Sequence, residues 1–295
     1  LCVPLSGYVG DVFSKKKVII FSLLLWSTAT FFTGLSAGLV HLIILRAIVG
    51  SSESFYAPAA NALIGEKYQE KTGLAMAIHQ TALYAGIIMS GLLGALIAQR
   101  FGWSTAFYFF GGIGIVLSFI LFIRFKKIIL PDAPQTAIKV TLFDGIKGLF
   151  QKKTAILLTL AFACMVFVNV GYLTWSPTFL HEKFNLSLAN AGFSSMFYHH
   201  IFAFLGVLLG GRFSDLMAKK SIGARLKIQA FGLLLGCPFI YLLGSADELF
   251  YVYAAMGIFG FFRGIYDSNI YASLFLVTPP AIRASVSGAM IMFAF

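Results

Sequence analysis

Gly7-Tyr-Val-Gly-Asp11-Val-Phe-Ser-Lys15-Lys16-Lys17 and Gly211-Arg-Phe-Ser-Asp215-Leu-Met-Ala-Lys219-Lys220 repeat a glycine, an aspartate and a lysine pair in the same order and with the same gaps. Gly7 and Gly211, Asp11 and Asp215, Lys15 and Lys219, and Lys16 and Lys220 are each 204 residues apart. Each set follows one apolar run and precedes another. A spacing of this size marks the duplication of a half-protein rather than a short solenoid repeat, so the two halves are expected to share one plan.

Composition names the solvent. The chain is 59% hydrophobic and 11% charged, with a mean hydropathy of +0.88, whereas a soluble domain carries roughly a quarter charged residues. A membrane span needs about 20 apolar residues, and runs of that length fill most of the sequence. They are read over residues 18–32, 42–64, 74–98 and 105–123, then 154–179, 189–210, 228–243 and 249–277, with a further one opening at Ala284. Gly86, Gly91 and Gly94 stud the third of these, where small residues allow helices to approach closely. The first five residues look like the tail of a helix already under way and the last seven like the start of another, so the chain is read as an internal piece of a longer protein.

Residues 125–153 form the one long polar stretch, holding Asp132, Lys139 and Asp144. They are taken as a linker between an N-terminal half-bundle, 1–124, and a C-terminal one, 154–295. Within the linker, residues 142–150 have the pattern of an amphipathic surface helix.

Sidedness follows from charge. Of the 22 Lys and Arg residues, all but four fall in loops on one side of the threaded chain. Arg100 and Lys183 lie on the other side, and Arg46 and Arg263 lie within spans. The positive-inside rule puts the basic side in the cytoplasm. The formal charge of +11 is thereby explained without a nucleic-acid partner. Cys2, Cys164 and Cys237 sit singly in apolar runs and carry no metal or redox pattern.

In these features the chain resembles the major facilitator superfamily over essentially its whole length. That family has a Gly-x-x-x-Asp-basic-x-Gly-basic-basic motif between its second and third helices and a weaker copy between the eighth and ninth. Gly7, Asp11, Lys15 and Lys16 match the first, and Gly211, Asp215, Lys219 and Lys220 the second. Val12 and Leu216 replace the first basic residue, and Ser14 and Ala218 the second glycine. The resemblance implies an all-α polytopic membrane protein of two pseudo-symmetric six-helix bundles, here running from the end of helix 2 to the start of helix 11. Arg46-Ala-Ile-Val-Gly50-Ser-Ser-Glu53-Ser-Phe-Tyr56-Ala-Pro58 is similar to the spinster-like branch, and Trp175-Ser-Pro177-Thr-Phe-Leu recurs there and in the organic-anion symporters.

Charged groups inside the spans are the site candidates, because each costs about 2.5–3.5 kcal/mol at a helix centre and faces a bundle interior or wet cavity. Arg263 and Asp267 stand four residues apart, on one helix face, where they can pair; a structural pair and a substrate or gating role are both open. Arg46 and Glu53 are two turns apart, too far for a direct bond. Either both join a network with the first helix of the family's fold, which this piece is expected to lack, or Glu53 exchanges a proton or coupling cation while Arg46 attracts an anion. Tyr56, Asn61, His79, Tyr84, Asn169, Tyr172, Tyr266 and Asn269 are possible cavity-lining groups. His199 and His200 point to different helix faces and are read as packing or lining residues, not metal ligands. The glycine-aspartate-lysine segments are read as conformational latches, with each aspartate accepting from a helix N-terminus.

The sequence holds no phosphate-binding loop, no Gly-x-Ser-x-Gly and no His-Glu-x-x-His, which argues against an ATPase or an intramembrane hydrolase. A secondary active transporter is expected, moving a small organic anion or amphiphilic solute by alternating access with proton coupling. The expected partners are the substrate, protons or another coupling ion and membrane lipid; no cofactor, metal or nucleic acid is called for. A spinster-like carrier of lysolipid or sphingolipid is the alternative, and a non-transporting sensor or channel is the alternative of another class. A monomer in the membrane is expected, the inner membrane if the source is bacterial.

Overall fold

The computed structural model describes residues 3–127, 141, 143–221 and 223–294. Leu1, Cys2, Phe295, Leu142 and most of the linker, Asp132 and Lys139 included, lie outside them. Among the described residues there are helices and turns but no strand. In chain order the α-helices are α1 (Val3–Val12), α2 (Lys15–Thr33), α3 (Leu39–Lys67), α4 (Thr72–Met89), α5 (Ala95–Phe101), α6 (Trp103–Lys127), α7 (Asp144–Gln151), α8 (Lys153–Phe184), α9 (Leu188–Ala218), α10 (Ala224–Ser245), α11 (Leu249–Asp267), α12 (Ile270–Val277) and α13 (Arg283–Ala294). Eight helices in the described residues are long and apolar enough to span a bilayer, α11 and α12 counting together as one. Phe167, Trp175 and Tyr241 are among their most exposed aromatic residues, as expected where hydrocarbon is the solvent.

The helices outrun the apolar runs. Gly7 to Asp11 lie inside α1 and Gly211 to Asp215 inside α9, so the first part of each repeated motif is helical rather than loop. Hydropathy marks where hydrocarbon ends, whereas a helix continues until its backbone bonds find another use. Two expected spans are also interrupted. Residues 74–98 divide into α4, a π-helical turn at Ser90–Gly94 and α5. Residues 249–277 divide at Ser268 and Asn269, where the Asn269 amide turns to the Tyr266 carbonyl. Across that break Gln229 of α10 donates to the Tyr266 carbonyl at 3.5 Å and accepts from the Ser273 hydroxyl at 2.7 Å.

Contacts sort the chain into two units. The first is Leu1–Leu63, Gly94–Thr159 and Thr278–Phe293; the second is Ile64–Leu93, Leu160–Val277 and Ala294–Phe295. In the first, α2 packs on α6, and a Cβ on Gly111 would fall 2.5 Å from the Phe31 amide nitrogen. Here α7 forms close to its expected bounds, and its Gly145 and Gly148 face Ser285, Ile282 and Val286.

In the second unit, Gly206 and Gly210 on α9 meet α11, whose Gly260 and Gly264 meet α9. Gly260 lies against the His199 carbonyl and Gly264 against the Ala203 carbonyl, with no room for a side chain. Two reciprocal small-xxx-small pairs thus bring the backbones together, which is how helices associate where burial from water supplies no drive.

Gly264→Val should therefore push the helices apart and cost roughly 1–3 kcal/mol through overpacking. Gly171→Ala, at a helical glycine with open space around it, should be neutral or stabilising by up to about 1 kcal/mol. Thermal melts in detergent separate the two; equal melting temperatures would mean that the α9–α11 seam is not tight.

Candidate functional site

The α9–α11 seam sets the register of the polar residues on its flank. Arg263 and Asp267 lie one turn apart on α11, with Arg263 Nε 3.3 Å from Asp267 Oδ2 and both side chains nearly buried. The pair is close enough for charge attraction but misaligned for a directed hydrogen bond. Arg263 Nη1 instead donates to Asn169 Oδ1 of α8 and to His199 Nε2 of α9, the latter at 2.9 Å. Asp267 Oδ2 in turn accepts the hydroxyl of Tyr84 from α4.

A second layer holds these groups in place. The Tyr172 ring lies over His199, with centroids 4.6 Å apart, and its hydroxyl donates to the Ser195 carbonyl at 2.6 Å. The His200 ring packs edge-on to Tyr84 at 5.8 Å, and its Nδ1 donates to the Met196 carbonyl at 2.8 Å. One guanidinium and one carboxylate balance each other in a buried cluster, in which a hydroxyl partners Asp267 Oδ2 and an amide and an imidazole partner Arg263 Nη1. Removing one charge of such a buried pair outright strands the other.

Of the residues read from the sequence, Arg263, Asp267, Tyr84, Asn169 and Tyr172 come together here. Tyr266 and Asn269 are buried beside the helix break rather than in the cluster. Asn269 turns its amide back to Ser268 Oγ at 2.8 Å and the Ile265 carbonyl at 3.3 Å. His79 is half-buried on α4. His199, read from the sequence as packing or lining, is the direct partner of Arg263. The clue was the arginine itself, which needs an acceptor when buried; testing the adjacent histidines only as chelators missed it. Among the described residues no three metal-ligating side chains gather.

The first unit keeps its own candidates. Arg46 and Glu53 are exposed on α3, and the Arg46 guanidinium sits 4.9 Å above the Phe107 ring, a cation–π contact that offsets part of its desolvation. Tyr56 packs edge-on to Trp26 at 5.2 Å, and Asn61 is buried. An apolar cavity of about 550 Å3 between α1, α2 and α3, lined by residues such as Val18, Phe21, Leu25 and Phe55, has neither charged residue in its lining.

The repeated motif is repeated in space. Asp11 Oδ1 and Oδ2 accept the amides of Ala284 and Ser285 at 3.0 and 2.6 Å, the second and third residues of α13. Asp215 Oδ1 and Oδ2 accept the amides of Gly73 and Leu74 at 2.9 and 2.7 Å, the second and third residues of α4. Each carboxylate thus caps two of the orphan amides of a helix start and meets its positive dipole end. Gly7 and Gly211 permit the approach, for a Cβ would collide with Ala284 and Ser285 in one case and with Gly73 in the other. The surroundings differ. Asp215 also pairs with the buried Arg225, Nη2 to Oδ1 at 2.6 Å, a partner that the sequence reading counted only as a loop charge. Lys15 is buried near Asp11, Lys16 is half-buried, and Lys219 and Lys220 are exposed. Burial pushes the Asp11 carboxyl up to about 6, against the nearby Ser285 hydroxyl, the two amides and Lys15.

Comparison with known proteins gives the family. A family model described as Major Facilitator Superfamily matches residues 1–295. The chain is 27% identical over 247 residues to the probable galactarate/D-glucarate transporter GudP of Escherichia coli, covering 73% of this chain and 54% of that protein. It is 25% identical over 250 residues to Protein spinster of Drosophila melanogaster, covering 81% and 41%. The chain therefore spans about half the length of these curated relatives. Its fold matches the crystal structure of a bacterial homologue of the human lysosomal transporter spinster, in an inward-facing and unoccupied conformation, with a TM-score of 0.66 and 20% identity over 99% of this chain and 67% of that one.

The Asp11 cap generates a pH test. The folded site binds the Asp11 proton more tightly than the unfolded chain does, so this carboxyl favours folding below about pH 4 and loses that contribution as pH rises through about 6. The melting temperature of Asp11→Asn should accordingly gain on that of the wild type between about pH 4.5 and 7.5. A constant difference across that range would show that Asp11 does not titrate there.

Proposed function

Because the chain belongs to the Major Facilitator Superfamily and carries, among the described residues, eight helices long and apolar enough to cross a bilayer, we propose that this integral multi-pass membrane protein is a secondary active transporter. Its substrate is a small organic anion, carried by alternating access about a site near the bilayer midplane and coupled to protons. The observation that carries this proposal is the buried Tyr84–Asp267–Arg263 cluster at the centre of the Leu249–Val277 span. A guanidinium there recognises a carboxylate through its planar fork, and the neighbouring Asp267 carboxylate competes for it when no anion is bound. The name of the probable galactarate/D-glucarate transporter supports the same chemistry, since galactarate and D-glucarate are sugar acids. Arg46 and Glu53 supply a second anion-attracting cation and the proton-exchanging carboxylate. The Asp11 and Asp215 caps act as latches that form and break as access alternates.

A spinster-like amphiphile, a lysolipid or sphingolipid, is the second reading; the Arg46-to-Glu53 pattern and the match to Protein spinster favour it.

In proteoliposomes with an inward proton gradient, D-glucarate should accumulate and excess unlabelled D-glucarate should elicit counterflow, which a channel cannot sustain. Glu53→Gln should lower gradient-driven accumulation by about tenfold or more while exchange at equal pH keeps a substantial part of its rate. Unaltered accumulation in that variant would remove Glu53 from coupling. Uptake of a labelled lysolipid with none of D-glucarate would favour the second reading.

A further inference from the structure

His199 does something that no packing role requires. An arginine has no acceptor atom, so in the contact of Arg263 Nη1 with His199 Nε2 the imidazole nitrogen must be the acceptor. That fixes the tautomer: the proton of neutral His199 sits on Nδ1, which lies toward the Met256 carbonyl without a hydrogen bond of good geometry among the described residues. Protonation at Nε2 is incompatible with the contact, since it would set two N–H groups and two positive charges against each other. The ring has little room to turn away, being fully buried, covered on one face by Tyr172 and approached by Phe259 at 5.3 Å between centroids. The guanidinium can move more easily, because Asp267 already lies 3.3 Å from its Nε, out of line for a full hydrogen bond.

We propose that His199 is a proton-operated clamp on Arg263: in its neutral Nδ1–H form Nε2 holds the guanidinium between α8 and α9, and a proton taken up from water at Nε2 releases the guanidinium toward Asp267 and toward an entering anion. His199 is thus a positioning residue acting through Arg263. The polar groups around it are Asn169 and Tyr172 on α8, His200 on α9, and Arg263 and Asp267 on α11. On α4 stand Tyr84, which holds Asp267, and His79, more than a turn before it. Among the described residues Arg263 alone makes a hydrogen bond to Nε2, and Asp267 is the carboxylate of the cluster, so the proton on His199 and the displacement of Arg263 are linked. Resting on the transport reading, this deepens it: proton and anion enter one cluster together, which is the chemistry of symport.

Histidine-selective 15N labelling of the protein in lipid nanodiscs reads the clamp without any substrate, and the loss of one signal in His199→Gln assigns His199 among the five histidines. At about pH 8 His199 should show the Nδ1–H tautomer, and Arg263→Met should change the pH at which it gains a second proton. An Nε2–H tautomer at the higher pH, or a titration that ignores Arg263→Met, would overturn the proposal. Uptake of labelled D-glucarate supplies the functional arm. Glutamine keeps an acceptor for Arg263 but cannot titrate, so His199→Gln should transport within about threefold of the wild type at about pH 8 and lose the wild-type fall in KM on acidification, whereas His199→Leu should lose about tenfold or more at every pH. A wild-type pH profile in His199→Gln refutes the clamp. Failure of the wild type to take up D-glucarate counts against the transport reading and leaves the clamp to be decided by the nitrogen spectra.

Discussion

A guanidinium in the middle of a membrane-embedded bundle must have its charge and its donors met by protein, because lipid can meet neither. Arg263 imposes that requirement on the second unit. One carboxylate one turn away balances the charge, and an amide and an imidazole from two other helices accept from Nη1. Asp267 then has to be held as well, and Tyr84 from a fourth helix holds it. The glycine pairs on α9 and α11 belong to the same requirement: only backbone contact between these helices brings His199 within hydrogen-bonding reach of an arginine on its neighbour. Packing and electrostatics here are one arrangement, in which substituting a glycine moves a charge.

The duplicated motif shows the same economy at the chain's other polar boundary. Two aspartates 204 residues apart make the same two-amide cap on two different helix starts. Each cap joins the motif of one sequence half to a helix of the other, and each contact unit accordingly contains one segment from the opposite half. The copies have diverged in their counter-charges. Asp215 is backed by the buried Arg225, while Asp11 lies near a buried lysine in a site that favours its protonated form.

Much of this was legible in the residues. Composition and run length identify the bilayer and the helices. The i, i+4 spacing of Arg263 and Asp267 announces a pair, and the motif aspartates announce helix caps. The rest was not local. Nothing near Tyr84 in the sequence points to a carboxylate 183 residues on. The partner of a buried arginine is chosen by how closely two helices can pack, which a search for ligand spacing among histidines does not ask. Helix ends were misjudged where polarity and backbone hydrogen bonding part company, as at Gly7 and Gly211. The break after Asp267 was hidden because Gln229, 37 residues away, satisfies the Tyr266 carbonyl there.

On the proposed function, the buried Arg263–Asp267 cluster works in transport and is more than a structural pair. Arg263→Met alone leaves a buried carboxylate and Asp267→Leu alone a buried guanidinium, and removing one partner of such a pair costs about 3–5 kcal/mol. The decisive measurement is D-glucarate accumulation by the double variant Arg263→Met/Asp267→Leu, made alongside its melting temperature. The account predicts that the double variant recovers most of the stability lost by either single one and still accumulates no substrate. A double variant that is stable and transports at the wild-type rate would contradict it.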